Sequence, residues 1–156
     1  MSRLRERLCK DYKVEELGYD FLGYTFNSRK DLSTHHIVPR HLGGHTKKNN
    51  LCILSRDTSH NYIHLIEDYD FKIFMQITQC LLEEVNNGRI GIDELKRIEE
   101  LLLLFEDKFR DEQTKKGDLL IRPEYKEKRI IKVLVKEAEL WFYMKVLKII
   151  KRFMRS

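Results

Sequence analysis

Outside residues 35–64 the sequence contains no histidine, although the chain holds six. Proline and glycine are also scarce, 2 and 7 residues among 156, which excludes a loop-rich or low-complexity chain. The three cysteines, Cys9, Cys52 and Cys80, are odd in number and far apart, and no CxxC pair occurs. Neither a disulfide framework nor a cysteine zinc knuckle is therefore indicated. No apolar run approaches the roughly 18–20 residues that span a bilayer. The opening residues, MSRLRERLCKDYK, are charged and carry no apolar signal core. A soluble, cytoplasmic protein with no membrane association is expected.

What is present is enough apolar material for a core, at 42% hydrophobic and 10% aromatic residues. The length fits one domain, or a small domain with an appended helical part. The net charge of +5 is unevenly spread. Residues 1–56 carry 11 Lys/Arg against 6 Asp/Glu, residues 57–120 carry 8 against 15, and residues 121–156 carry 11 against 4. Basic sequence beside the histidines and a basic tail are compatible with a polyanionic partner such as nucleic acid. Charged residues that merely solvate helix surfaces would give a similar pattern.

Hydrophobic spacing predicts a short charged helix over 2–17 and an aromatic, glycine-punctuated stretch over 18–28, GYDFLGYTFNS. The short apolar segments STHHIVP and NLCILS read as two strands, joined across the polar, glycine-bearing RHLGGHTKKN. A helix is expected from SRDTS onward, with Ser55, Asp57 and Thr58 as N-cap choices and a break near 68–70. After a turn at 86–91, a second helix is expected over 93–112, opened by Asp93, and then a loop QTKKGD. Pro123 is expected in the first turn of a last helix reaching about Arg155. Along that helix Ile131, Val135, Ala138, Phe142, Val146, Ile149 and Phe153 make one apolar line. Such a line fits packing on the 93–110 helix, or a homodimer or protein partner. The fold class expected is α+β and mostly helical. Residues 1–112 form the functional domain, with its core at about 29–66 and helical support over 67–112, and 113–156 a basic helical extension.

All six histidines lie in HHIVPRHLGGHTKKNNLCILSRDTSHNYIH. His60 and His64, four apart on a helix, put two imidazoles on one face, where they can grip one ion. His35 and His36 are neighbours on a strand and must point to opposite sides. That asymmetry predicts two jobs, one imidazole as ligand and the other as something else. A neutral imidazole is the usual base for activating water near pH 7. His41 and His45 fall in the loop and are expected to be exposed or close to a substrate.

The order of HHIVP, the GG loop, NLCIL and the closing HNYIH resembles the HNH endonuclease family. The resemblance covers about residues 29–66. It implies a ββα-metal finger, a hairpin with a long loop packed on one helix. It implies His35 as a metal ligand, His36 as general base, and Asn50, rather than its neighbour Asn49, as the residue holding the loop that orients the base. It implies His60 and His64 as the remaining ligands, as in colicin-like members with an all-histidine site. Many relatives add flanking CxxC pairs for a structural zinc; this chain has none, so packing against 1–28 and 67–110 must support the finger.

The chemistry so implied is phosphodiester hydrolysis in nucleic acid, DNA more than RNA, with one divalent ion. Three neutral imidazoles suit zinc, nickel or manganese better than magnesium, but the family works with several ions, so its identity stays open among Zn, Mn, Ni and Mg. The ring of His36 is expected to be held by a loop carbonyl placed by Gly43, Gly44 and Asn50. Arg29, Arg40, Lys47 and Lys48 are the expected phosphate contacts. The alternative is a metal-stabilised nucleic-acid-binding module that does not cut, or a subunit of a larger nuclease or defence complex.

Overall fold

The computed structural model describes residues 3–116, 121–129 and 131–155, apart from the side chains of 113–116, 131–133 and 135. The fold is α+β and mostly helical, with one two-stranded antiparallel sheet. None of the described helices is long and apolar enough to cross a membrane.

The amino-terminal helix is broken in two. α1 spans Arg3–Asp11 and α2 spans Val14–Leu17. Between them Lys13 sits in the left-handed region (φ 55°), which interrupts the single helix expected from the sequence. The following aromatic stretch is core. Phe21, Leu22 and Tyr24 are buried, and Phe21 donates its backbone N–H to the Ile53 carbonyl, 3.3 Å away.

β1 (Leu32–His36) pairs with β2 (Leu51–Ser55), with His35 opposite Cys52 and His36 opposite Leu51. All of β2 is buried, as befits a strand with packing on both faces. The two glycines of the connection have different reasons to be glycine. Gly43 lies at φ 93°, where a side chain is strained. A Cβ on Gly44 would stand 1.8 Å from the Val38 carbonyl oxygen, so the backbone itself closes there.

Behind β2 the chain makes a wide π-helical turn, Arg56–His60, before α3 (Asn61–Tyr69) begins. None of the expected caps operates: the Ser55 side chain makes no capping bond, and Asp57 and Thr58 lie inside the turn. The reason is Asp20, which is fully buried. Its Oδ1 accepts from the backbone N–H of Leu22 (2.8 Å) and Tyr24 (3.0 Å). Its Oδ2 accepts from the Ser55 N–H (2.8 Å), the Ser55 hydroxyl (2.7 Å) and the Ser59 hydroxyl (2.5 Å). Burial pushes this carboxyl above its ordinary range, against the pull of the Ser59 and Ser55 hydrogen bonds. One side chain thus ties the 20–24 turn to the end of β2 and the entry of the helix.

α3 buries Tyr62, Ile63 and Ile66 and ends at Tyr69. Asp70 then caps α4 (Phe71–Asn87), accepting from the Ile73 N–H at 3.1 Å. α5 (Ile92–Lys116) packs on α4 and starts one residue before Asp93, which becomes a first-turn acid rather than the opening cap. The same helix takes in 113–116, the start of the loop expected from the sequence; 117 and 118, its end, lie outside the described residues.

Pro123 opens only the short α6 (Glu124–Glu127); the long helix, α7 (Ile131–Arg155), starts later. Residues 122–129 are drawn into the body instead. Tyr125 is buried and stacks on Tyr62, ring centres 4.6 Å apart. Arg129 donates to both oxygens of Glu106, at 2.7 and 3.0 Å, and lies 3.3 Å from Glu99. The Tyr62 hydroxyl donates to the same Glu106 at 2.9 Å. α3, which carries His64 and follows directly on His60, is therefore anchored from behind by a buried, hydrogen-bonded charge group.

Candidate metal centre

Strand alternation decides which groups of β1 meet α3. Ser33 and His35, two apart, share one face, and both reach the helix. The rings of His35, His60 and His64 converge, with centres 5.2, 5.4 and 5.0 Å apart. One nitrogen of each lies within 4.8 Å of the other two, the only such group of three metal-binding side chains among the described residues. His35 comes from the strand, His60 from the last residue of the π turn, and His64 from one turn into α3. The wide turn matters because it sets where His60 projects relative to His64.

Each of the three imidazoles is held differently. His35 is 1% exposed, and its Nε2 is buried without a hydrogen-bond partner. The Nδ1 of His60 lies 2.6 Å from the Ser33 hydroxyl, and the Nδ1 of His64 lies 3.2 Å from a Glu67 oxygen. In both, the contact at Nδ1 leaves Nε2 as the outward nitrogen. The other Glu67 oxygen is 3.5 Å from Nε2 of the loop histidine His41. Orienting partners of this kind fix the tautomer and the aim of a ligating imidazole.

The electrostatics favour neutral donors. Burial, with His60, His64 and His36 nearby, holds the His35 imidazole well below its ordinary range. Burial, then His64, Arg56 and His36, lowers His60 to about 4. Neutral imidazoles are the form that binds a cation. An orphaned buried nitrogen inside a trio of converging imidazoles is what a divalent ion would satisfy, so these residues fit one. Imidazole nitrogen donors suit zinc or nickel.

These shifts carry a stability prediction. As pH falls through about 6.5 the unfolded chain protonates its histidines, whereas folded His60 resists until about 4 and folded His35 resists too. The unfolded state binds more protons in that window, so stability falls as pH falls. Melting temperatures of the chelator-treated protein should drop steadily between pH 7 and pH 4.5. A flat profile would show that the imidazoles are not held neutral.

His36, on the other face of β1, is half-buried, and its Nε2 is 2.9 Å from the Thr46 hydroxyl. The loop group on its ring is thus a hydroxyl and not the carbonyl expected from the sequence. Asn50 acts on the backbone instead. Buried at 4% exposure, it accepts from the Val38 N–H (2.8 Å) and donates to the carbonyls of Val38 (3.0 Å) and His45 (2.9 Å). It clasps both ends of the 38–50 loop, whereas Asn49 is exposed. His41, His45, Arg40, Lys47 and Lys48 are all exposed around that loop. Lys48 is 3.2 Å from Asp11, and Arg29 is paired with Glu15, so a phosphate reaching either must displace a carboxylate.

No family model, curated protein or solved structure matches this chain.

Ser33, Thr46 and Glu67 escape a reading based on histidine spacing. Glu67 alone leaves a trace, three residues after His64 on the same helix face. Glu67→Ala should lower divalent-ion affinity about 10–100-fold with little change in the fold, as for other orienting partners of ligands. Calorimetric titration beside the parent checks this; unchanged affinity would reduce Glu67 to a surface carboxylate.

Proposed function

We propose that the chain is a metal-dependent endonuclease of the HNH kind that hydrolyses phosphodiester bonds in nucleic acid, DNA in the first place. In this reading β1, β2 and α3 are its ββα-metal finger. The observation that carries the proposal is the separation of four imidazoles into a converging trio and one that stands apart. His35, His60 and His64 converge with a buried unpartnered nitrogen, while adjacent His36 stays outside the trio and faces the clasped loop.

His35, His60 and His64 would hold one divalent ion, which when bound supplies Lewis-acid neutralisation of the scissile phosphate and the leaving oxygen. The remaining work falls to the chain. His36 takes the proton of the attacking water on its ring. The Thr46 hydroxyl beside its Nε2 can donate or accept, so it keeps the ring aimed in both protonation states. Asn50 holds the loop that presents Thr46. Arg40 and Lys47, exposed beside this loop, offer the phosphate backbone its first contacts.

The test is incubation of the purified protein with supercoiled plasmid across zinc, nickel, manganese and magnesium, with single-stranded RNA in parallel. Nicking or linearisation that depends on an added ion and stops with chelator supports the reading. Ion binding without cleavage of either substrate under every ion would leave a metal-stabilised binding module instead.

A further inference from the structure

The four-residue step that joins His60 to His64 extends once more in the other direction, to Arg56. Arg56 is the first residue of the π turn and His60 is its last. A π turn has a wider repeat than an α-helix, so residues four apart in it lie close to one line along the axis. His64 continues the line in α3. Arg56, His60 and His64 therefore make one stripe that leads out of the metal centre. The backbone under this stripe is fixed, because Asp20 holds Ser55 and Ser59, which bracket residues 56–58.

The stripe lies on the open side of the centre. His35 is 1% exposed and His60 half-buried, whereas the His64 side chain is 52% exposed and Arg56 is exposed. A molecule reaching an ion on the three imidazoles must come from that side. Among the described residues Arg56 makes no hydrogen bond and no ion pair, even with its neighbour Asp57. Arg29 and Lys48 are by contrast each occupied by a carboxylate. The charge of Arg56 still reaches the centre, where it is one of the groups that disfavour protonation of His60. A planar fork of N–H donors beside a divalent ion matches the two non-bridging oxygens of a phosphodiester, one for the ion and one for the fork.

We propose that Arg56 is the phosphate-binding residue of the metal centre, holding a non-bridging oxygen of the same phosphodiester that the ion on His35, His60 and His64 would engage. The identity of the substrate rests on the nuclease reading. The claim itself concerns binding: Arg56 and the ion act on one phosphate, so the loss of either should blunt the effect of the other.

The experiment titrates a fluorescein-labelled DNA duplex with the His36→Ala protein, with and without Arg56→Ala, and follows anisotropy. Each protein is measured once loaded with zinc and once with chelator. With zinc, Arg56→Ala should weaken duplex binding about tenfold and lower the salt slope by about one. With chelator the same substitution should cost no more than about threefold, the level of a surface cation whose phosphate is no longer fixed by the ion. Arg56→Lys should keep the salt slope and lose part of the affinity, because a single ammonium lacks the fork. Equal losses with and without zinc, or no loss with zinc, overturn the proposal. Plasmid nicking by the His36-containing proteins separates it from the reading it rests on. A zinc-coupled loss of binding in a chain that cuts nothing supports the Arg56 site and removes the nuclease reading. A parent that cuts, beside an Arg56→Ala variant that binds and cuts equally well, overturns the Arg56 site alone.

Discussion

Replacing His36 by alanine should lower ion-dependent cleavage by about 10²–10⁴-fold, the usual worth of a positioned general base, and leave ion binding and the melting curve as in the parent. His36 faces the Thr46 hydroxyl and lies outside the trio of converging nitrogens, so its removal costs the centre no donor. It is half-buried on the edge of the sheet, and truncation there opens no core cavity. His60→Ala should instead lose binding and cleavage together. Activity is read by plasmid nicking and affinity by calorimetry on the same preparations. If affinity of His36→Ala fell as far as its activity, the division of roles would be wrong.

The second large effect should come from a residue remote from any reacting atom. Asp20→Ala strands five donors, the N–H groups of Leu22, Tyr24 and Ser55 and the hydroxyls of Ser55 and Ser59. A buried donor left without a partner costs about 1–3 kcal/mol. Part is recovered, because the Ser55 N–H also reaches the Ser59 hydroxyl at 3.0 Å. A net loss of about 3–5 kcal/mol is expected. At about 2–4 °C per kcal/mol for a chain of this size, the melting temperature should fall by roughly 10–15 °C. Asp20→Asn should fare little better, since its amide would meet donors. A melting temperature within about 2 °C of the parent would mean that water replaces the carboxylate at no cost.

Much of this architecture can be read from local pattern. The two strand segments, the polar loop and the helical break near 68–70 follow from short apolar segments, glycines in a polar stretch and an interrupted helical spacing. His60 and His64 fall on one helix face because four residues make about one turn. The features that escape such reading depend on partners distant in sequence. The SRDTS segment carries good capping residues, but Asp20 captures Ser55 and Ser59 across 35 and 39 positions, and the turn widens into a π helix. Pro123 signals a helix start, but burial of Tyr125 and the pairing of Arg129 with Glu106 stop that helix after one turn. The apolar line from Ala138 to Phe153 suggests packing on α5. Packing engages Leu134 and Ala138 and leaves Phe142 and Ile149 65% and 54% exposed; the side chains of Ile131 and Val135 lie outside the described residues. Ser33 and Thr46 carry no local signature, because a hydroxyl becomes an orienting group only once the hairpin brings a ring within reach.

The account rests on three imidazoles acting together on one ion, and metal stoichiometry tests that most directly. Zinc or nickel is titrated calorimetrically into the chelator-treated parent and into His35→Ala, His60→Ala, His64→Ala and His36→Ala. One ion per chain in the parent and in His36→Ala, with affinity lost in each of the other three, is the predicted result. A parent that binds no divalent ion, or a His60→Ala variant that binds as tightly as the parent, would contradict it.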